Sequence, residues 1–280
     1  MEKQGEVNWS ALPAAARRDL DEAIADCQAA AEAGIVYAQC AMGSMYVNGN
    51  FGVAQSDKEA VYWFRKAADQ GHAESQSSLG RLYDSGRGVA QNMVEAVRLY
   101  TMAAEQGCEM AQFDLAVLYD EGRGVQQSSA EAVRWFKKSA SQGCALARYE
   151  LGLMLEKGRG VSQSEAEAIQ WWMKAAEVGE KGSQYCLGCA YIGGRAVPQD
   201  NVKAASWFRK AADLGHADAQ SNLAAMLQEG RGVAQDSVEA ARWLRKAADQ
   251  RHQQALSHLG AVFTNGCGVK QNDAKAVVCF

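Results

Sequence analysis

Proline is nearly absent, with Pro13 and Pro198 the only two in 280 residues, so long stretches lack the residue that breaks helix interiors. Long apolar runs are missing as well. No stretch approaches the roughly 18 uninterrupted apolar residues of a membrane helix, and membrane insertion is not expected. Positive charge is not in surplus either, since 29 basic and 33 acidic residues leave a formal net charge of −4. A nucleic-acid partner, which calls for a basic footprint, is therefore not expected. The opening stretch MEKQGEVNWSALPAAARRDLDE carries acidic and polar residues where a signal peptide needs an apolar run.

What the chain does contain is Ala, Leu, Glu, Lys and Gln in quantity, a helical composition that predicts an all-α protein. The segment LYDEGRGVQQSSAEAVRWF, from Leu118 to Phe136, raises a choice about its two glycines. Gly122 and Gly124 could cradle a phosphate at the start of a helix, or they could form a turn. Repetition decides it. GRGV occurs at Gly86, Gly122, Gly158 and Gly230, and returns as GRAV at Gly194 and GCGV at Gly266, with starts spaced by 36 residues or a multiple of it. A first copy at Gly49–Val53 has one extra residue in the turn. A glutamine follows each loop, at positions 55, 91, 127, 163, 199, 235 and 271. An aromatic pair repeats as Trp63-Phe64, Trp135-Phe136, Trp171-Trp172 and Trp207-Phe208. A constant period in this range marks a repeat array.

Each period holds two helical patterns. Over Ala73–Ser85, positions Ser75, Leu79, Leu82 and Tyr83 fall on one stripe. Position 80 and its equivalents are always small (Gly80, Ala116, Gly152, Gly188, Ala224, Gly260). A recurring mid-helix glycine costs about 1 kcal/mol, so it implies a close helix–helix approach. The second helix is expected over Lys58–Gln70, burying Ala60, Trp63, Phe64, Ala67 and Ala68. Ser56, Asp57, Ser128, Ser164 and Asp236 are candidate N-caps, and Arg65-Lys66 and Arg209-Lys210 suit the negative end of the helix dipole. Gly71, Gly107, Gly143, Gly179 and Gly215 follow the second helix, where a C′ residue often has positive φ. None of the loops follows a predicted strand or is completed by the lysine and Ser/Thr of a phosphate loop. The glycines are turns.

LGRLYDSGRGVAQNMVEAVRLYTMAAEQG, Leu79 to Gly107, resembles the Sel-one-like repeat (SLR) family, a relative of the tetratricopeptide repeat, over nearly all of residues 20–280. The resemblance implies a right-handed superhelical α-solenoid of about seven 36-residue helix–turn–helix repeats, whose first helices line a concave surface. It also implies an adaptor that assembles protein complexes, without catalysis. Residues 1–34 are read as an N-terminal segment and half-repeat cap, with Asp26 where the tryptophan would stand and Trp9 and Leu12 folded onto it. Residues 35–280 are read as the tandem array. Its last repeat is incomplete at Phe280, and the chain is expected to be a fragment. Arg251 replaces a helix-ending glycine.

The eight cysteines, Cys27, Cys40, Cys108, Cys144, Cys186, Cys189, Cys267 and Cys279, are scattered over unrelated repeat positions, and only Cys108 and Cys144 are equivalent. That pattern points to free thiols in the cytoplasm or another reducing intracellular compartment. Cys186-x-x-Cys189 lacks a second CxxC partner and makes a weak zinc half-site. His72, His216 and His252 share one repeat position but are not all consecutive, so no metal site is expected. Carboxylates near helix ends, such as Asp120-Glu121, are read as solvated. No nucleophile–base constellation stands out, and no cofactor is expected.

One pattern exceeds the plain repeat. The first-helix positions equivalent to 74, 77 and 81 are polar or small in outer repeats. Centrally they become Met110, Phe113 and Val117, then Leu146, Tyr149 and Leu153, then Gly182, Tyr185 and Cys189, flanked by Asp114, Glu150 and Asn222. These are either inter-repeat core or a groove for a helix or extended peptide. The expectation is a monomeric scaffold that binds another protein or peptide on its concave face through Met110, Phe113, Asp114, Val117, Leu146, Tyr149, Glu150, Leu153, Tyr185, Cys189 and Asn222. The alternative is a hydrolase-like or small-ligand-binding protein similar to the cysteine-rich β-lactam-binding relatives of that family. An RNA reader is a third, disfavoured by the charge.

Overall fold

Among the described residues the predicted hairpins form, and each half is 13 or 14 residues long from the second helix onward. The computed structural model describes residues 13–265, so Trp9, Leu12, Cys267, Cys279 and the expected break at Phe280 lie outside the described residues. Fourteen helices are present among the described residues: α1 Ala14–Glu32, α2 Val36–Asn48, α3 Asp57–Asp69, α4 Ala73–Ser85, α5 Met93–Glu105, α6 Glu109–Glu121, α7 Ser129–Gln142, α8 Ala145–Lys157, α9 Glu165–Glu177, α10 Lys181–Gly193, α11 Asn201–Asp213, α12 Ala217–Glu229, α13 Ser237–Asp249 and α14 Gln253–Asn265. No strand occurs among them. The architecture is an all-α solenoid of 36-residue hairpins. The chain divides into two compact units, residues 1–138 and residues 139–280.

Local chemistry sets the helix limits. Ser56, Ser128, Ser164 and Asp236 accept hydrogen bonds from backbone N–H groups three residues on, as do Asn92 and Asp200, which satisfies an orphan donor of the first turn. Asp57 corrects the expected cap set. It lies inside α3, and its carboxylate takes both NεH and NηH of Arg87. The first helices end on a left-handed glycine, at Gly49 and Gly86 among others. Gly88, two residues later, also has positive φ, and a Cβ there would run into the Asp57 carbonyl. The loop glycines are therefore set by backbone conformation and by proximity to the preceding hairpin.

The predicted close approach at position 80 is a ring laid against a bare backbone. A Cβ on Gly43 would lie 2.6 Å from Phe64 Cδ1, and one on Gly80 would lie 2.9 Å from Tyr100 Cε1. Gly152 faces Trp172 and Gly188 faces Phe208 in the same way. Tyr100, Phe208 and Trp172 are almost wholly buried, each worth about 2–3 kcal/mol of transfer free energy.

In the first unit α2 to α6 pack each against the next, and in the second α8 to α14 do the same. The basic residues at second-helix ends do more than oppose the dipole. Lys66, Lys138, Lys174, Lys210 and Lys246 each sit over the tryptophan one turn earlier, at 4.0–5.1 Å from the ring centroid, a favourable cation–π placement. The end-of-helix carboxylates also find partners. Glu121 and Asp84 both pair with Arg123, and Glu156 pairs with Arg195. That corrects the reading of such carboxylates as merely solvated.

Candidate functional site

In the first unit the face of interest lies on α6. Met110 is exposed (38 %), while Phe113 and Val117, three and seven residues on, are half-buried. Helical spacing puts the three on one stripe. The Phe113 ring packs against Phe136 with centroids 5.7 Å apart, so its inner edge belongs to the contact with the neighbouring second helix. Asp114, beside it, accepts a 3.0 Å hydrogen bond from Arg81 Nε on α4. Burial nevertheless pushes the Asp114 carboxyl up, against the pull of the Arg81 guanidinium. An open cleft of about 620 Å³ lies alongside, lined by Glu74, Ser77, Ser78 and Arg81 of α4 and by the segment leading to Met110.

In the second unit the equivalent stripe on α8 is Leu146, exposed (48 %), with Tyr149 and Leu153 half-buried and Glu150 beside them. The Tyr149 ring covers Gly182 of α10, where a Cβ would come 2.8 Å from Tyr149 Cε2. Burial pushes the Tyr149 phenol up to about 12. On α10, Tyr185 leans on Phe208 at 5.9 Å and stacks on His216 at 4.6 Å. Its hydroxyl is held up by burial and hydrogen-bonds Cys189. Asn222 of α12 is half-buried. At the position of Tyr149, Ser77 and Ser221 are buried. The aromatic side chains are thus partly inter-repeat packing and partly accessible surface.

Cys186 and Cys189 are free thiols, and burial raises both above the usual cysteine range. Cys27, Cys40, Cys108 and Cys144 are also free.

Three features were not legible as site elements in the sequence. The first is a buried glutamine in most first helices. Gln39, Gln76, Gln112, Gln184 and Gln220 each donate Nε2 to the alanine carbonyl eight residues earlier, and Arg148 Nε takes over that role at Ala140. The second is the histidine position. His72, His216 and His252 are N-caps whose Nδ1 accepts from the backbone N–H of Ser75, Ala219 and Ala255. His252 and His216 both approach the Asp218 carboxylate, at 2.9 and 3.8 Å. The third is a group of metal-ligating types, Cys40, His72 and Glu74, whose donor atoms lie within 4.8 Å of one another. The repeated glutamine and the shared repeat position of His72, His216 and His252 were the usable signals among these.

Comparison with known proteins agrees with this architecture. The Sel1 repeat family model matches residues 36–72, 73–108, 109–144, 145–180, 182–216, 217–252 and 253–280. A protective antigen present in uropathogenic Escherichia coli strains, displaying an SLR fold, is 34% identical with a TM-score of 0.85. The match covers 91% of this chain and 55% of that one, so the chain spans about half the antigen's length. A Sel1 repeat protein from Oxalobacter formigenes is 28% identical with a TM-score of 0.77, covering 86% of this chain and 94% of that one. None of the curated proteins matches. With seven repeats matched across most of its length, the chain belongs to the Sel1 repeat family.

Proposed function

We propose that the chain is a protein-interaction scaffold that takes a helical or extended segment of another protein on the first-helix face. Sel1 repeat folds commonly serve as protein-interaction scaffolds. One observation carries the reading. The same apolar triplet is set at i, i+3 and i+7 on α6 and again on α8, with the outermost side chain of each, Met110 or Leu146, exposed. On each unit by itself, the exposed apolar side chain beside a half-buried aromatic is an apolar centre of the kind that a partner segment covers. The fold acts here as a rigid support without catalysis, and the free thiols fit a reducing compartment.

Two arms test the reading. The full chain and a Leu146→Ser/Leu153→Ser variant are offered a displayed library of short peptides, and enriched peptides are measured by titration. Wild type should select peptides sharing apolar residues at helical or alternate spacing, and the variant should lose them by tenfold or more while melting within a few degrees of wild type. Equal binding by both proteins would remove the α8 stripe from the site. Selection of labelled RNA over peptides would overturn the reading altogether.

A further inference from the structure

The position of Cys40 on its helix is held by Ser77, Phe113, Tyr149, Tyr185, Ser221 and Ser257 in later repeats. A thiol there is an exception, and it faces two further metal-ligating types. His72 caps α4 and Glu74 lies in the first turn of the same helix. The Cys40 sulfur, a His72 nitrogen and a Glu74 oxygen lie within 4.8 Å of one another. We propose that Cys40, His72 and Glu74 form a binding site for a borderline divalent cation of the zinc type, clamping α2 to the start of α4.

The donor set selects the class of ion. Thiolate and imidazole suit zinc or cobalt(II) and suit magnesium or calcium poorly. Donors around a tetrahedral zinc are about 3.5 Å apart, given metal–ligand distances of about 2.0–2.3 Å. Torsion of the Cys40 and Glu74 side chains that moves their donor atoms by about 1 Å would bring them to that spacing. Three protein ligands leave the fourth position to water. Charge also balances. The positive N-terminal end of α4 repels a bare cation, but the Cys40 thiolate and the Glu74 carboxylate cancel a dipositive ion. On binding, the Cys40 thiol gives its proton to solvent, and neutral His72 gives up the bond from Ser75 N–H to free a ring lone pair, either at Nδ1 itself or at Nε2 once the proton sits on Nδ1 and is donated to Ser75 Oγ.

Groups that would orient the ligands are already in place. The Ser75 side chain is fully buried and its Oγ lies 2.9 Å from His72 Nδ1. The same hydroxyl hydrogen-bonds the Cys40 thiol. Outer-shell partners of this kind orient metal ligands. Tyr37 meets the His72 ring edge-on at 5.3 Å, which limits the ring's rotation. Other repeats lack the set. The Ser77 equivalent has Cys108 and Met110 as its companions, and the Tyr185 ring stacks on His216 where the thiol would stand.

The test is a cobalt(II) titration of the full, chelator-treated chain under reducing conditions. One equivalent should give the ligand-field bands of a four-coordinate site and a thiolate-to-cobalt charge-transfer band, and zinc should displace both. Cys40→Ser should abolish the charge-transfer band. Serine occupies that position in three other repeats, so the fold is retained, and the metal-free melting curve checks it. Should that variant misfold, His72→Asn serves instead, because asparagine still caps α4. Ser75→Ala should weaken zinc binding about 10–100-fold. Cys186→Ser should leave the spectrum unchanged. A spectrum that survives in Cys40→Ser, or disappears in Cys186→Ser, overturns the proposal, as does the absence of a one-equivalent complex in wild type.

Discussion

Gln250 Nε2 donates a 2.9 Å hydrogen bond to Gln220 Oε1, joining the end of one second helix to the buried glutamine of the first helix before it. Gln106 reaches Gln76 in the same way at 2.7 Å, and Gln70 reaches Gln39 at 2.7 Å. At the corresponding place Leu214 stands thirty residues after Gln184. Among the described residues, the buried Gln184 Oε1 has no hydrogen-bond partner. A buried acceptor left unpaired costs about 1–3 kcal/mol.

Leu214→Gln should therefore stabilise the protein by about 1 kcal/mol, because Leu214 is half exposed and little burial is lost. Gln250→Leu, the reverse change one repeat later, should destabilise by about 1–3 kcal/mol. Urea denaturation of both variants measures the pair. Two changes of the same sign would show that the glutamine link does not set the energy.

Gly152→Ala reverses the usual effect of replacing a mid-helix glycine, which gains about 1 kcal/mol. The new Cβ would fall inside the indole of Trp172, whose Nε1 donates to the Tyr149 carbonyl at 3.3 Å. Moving that ring breaks the bond and disturbs packing, so a net loss of about 1–3 kcal/mol is expected. The melting temperature is the readout, and a stabilised Gly152→Ala would mean that the indole shifts freely.

Arg251 adopts φ +61, in the left-handed region, where Gly71 and Gly215 stand at φ +88 and +81 in other repeats. The expected strain at that helix end is present. Arg251→Gly should raise stability by about 1 kcal/mol, the left-handed penalty of a side chain less the greater freedom of unfolded glycine. Thermal unfolding of the two proteins under identical conditions checks it.

The Glu239 carboxyl is held below the ordinary glutamate range by its hydrogen bond from Arg209, aided by Trp243 and opposed by burial. Its folded pKa lies below the unfolded value of about 4.3. The contribution to stability is thus present above that value and lost as pH falls through the folded pKa. Glu239→Gln should lower stability at neutral pH and flatten its dependence on pH below about 4.3. Equilibrium unfolding of both proteins across the acid range gives the comparison. Parallel curves would show that Arg209 does not favour the ionised form.

Periodicity and turn chemistry are properties of neighbours in sequence, and these were legible. The 36-residue spacing of the GRGV loops, the serine and aspartate caps and the helix-ending glycines set the hairpins to within a residue or two. The apolar side chains of Met110 and Leu146 stood out for the same reason. Partners 30–39 residues apart depend instead on how hairpins stack, and no local rule names them. Only the tertiary structure placed Glu156 against Arg195, turned three histidines into helix caps and left the buried Gln184 Oε1 without a partner among the described residues. It also brought Cys40 to His72 and Glu74. In the sequence Cys40 is one of eight scattered thiols, and its neighbours are decided by the packing of α2 on the start of α4.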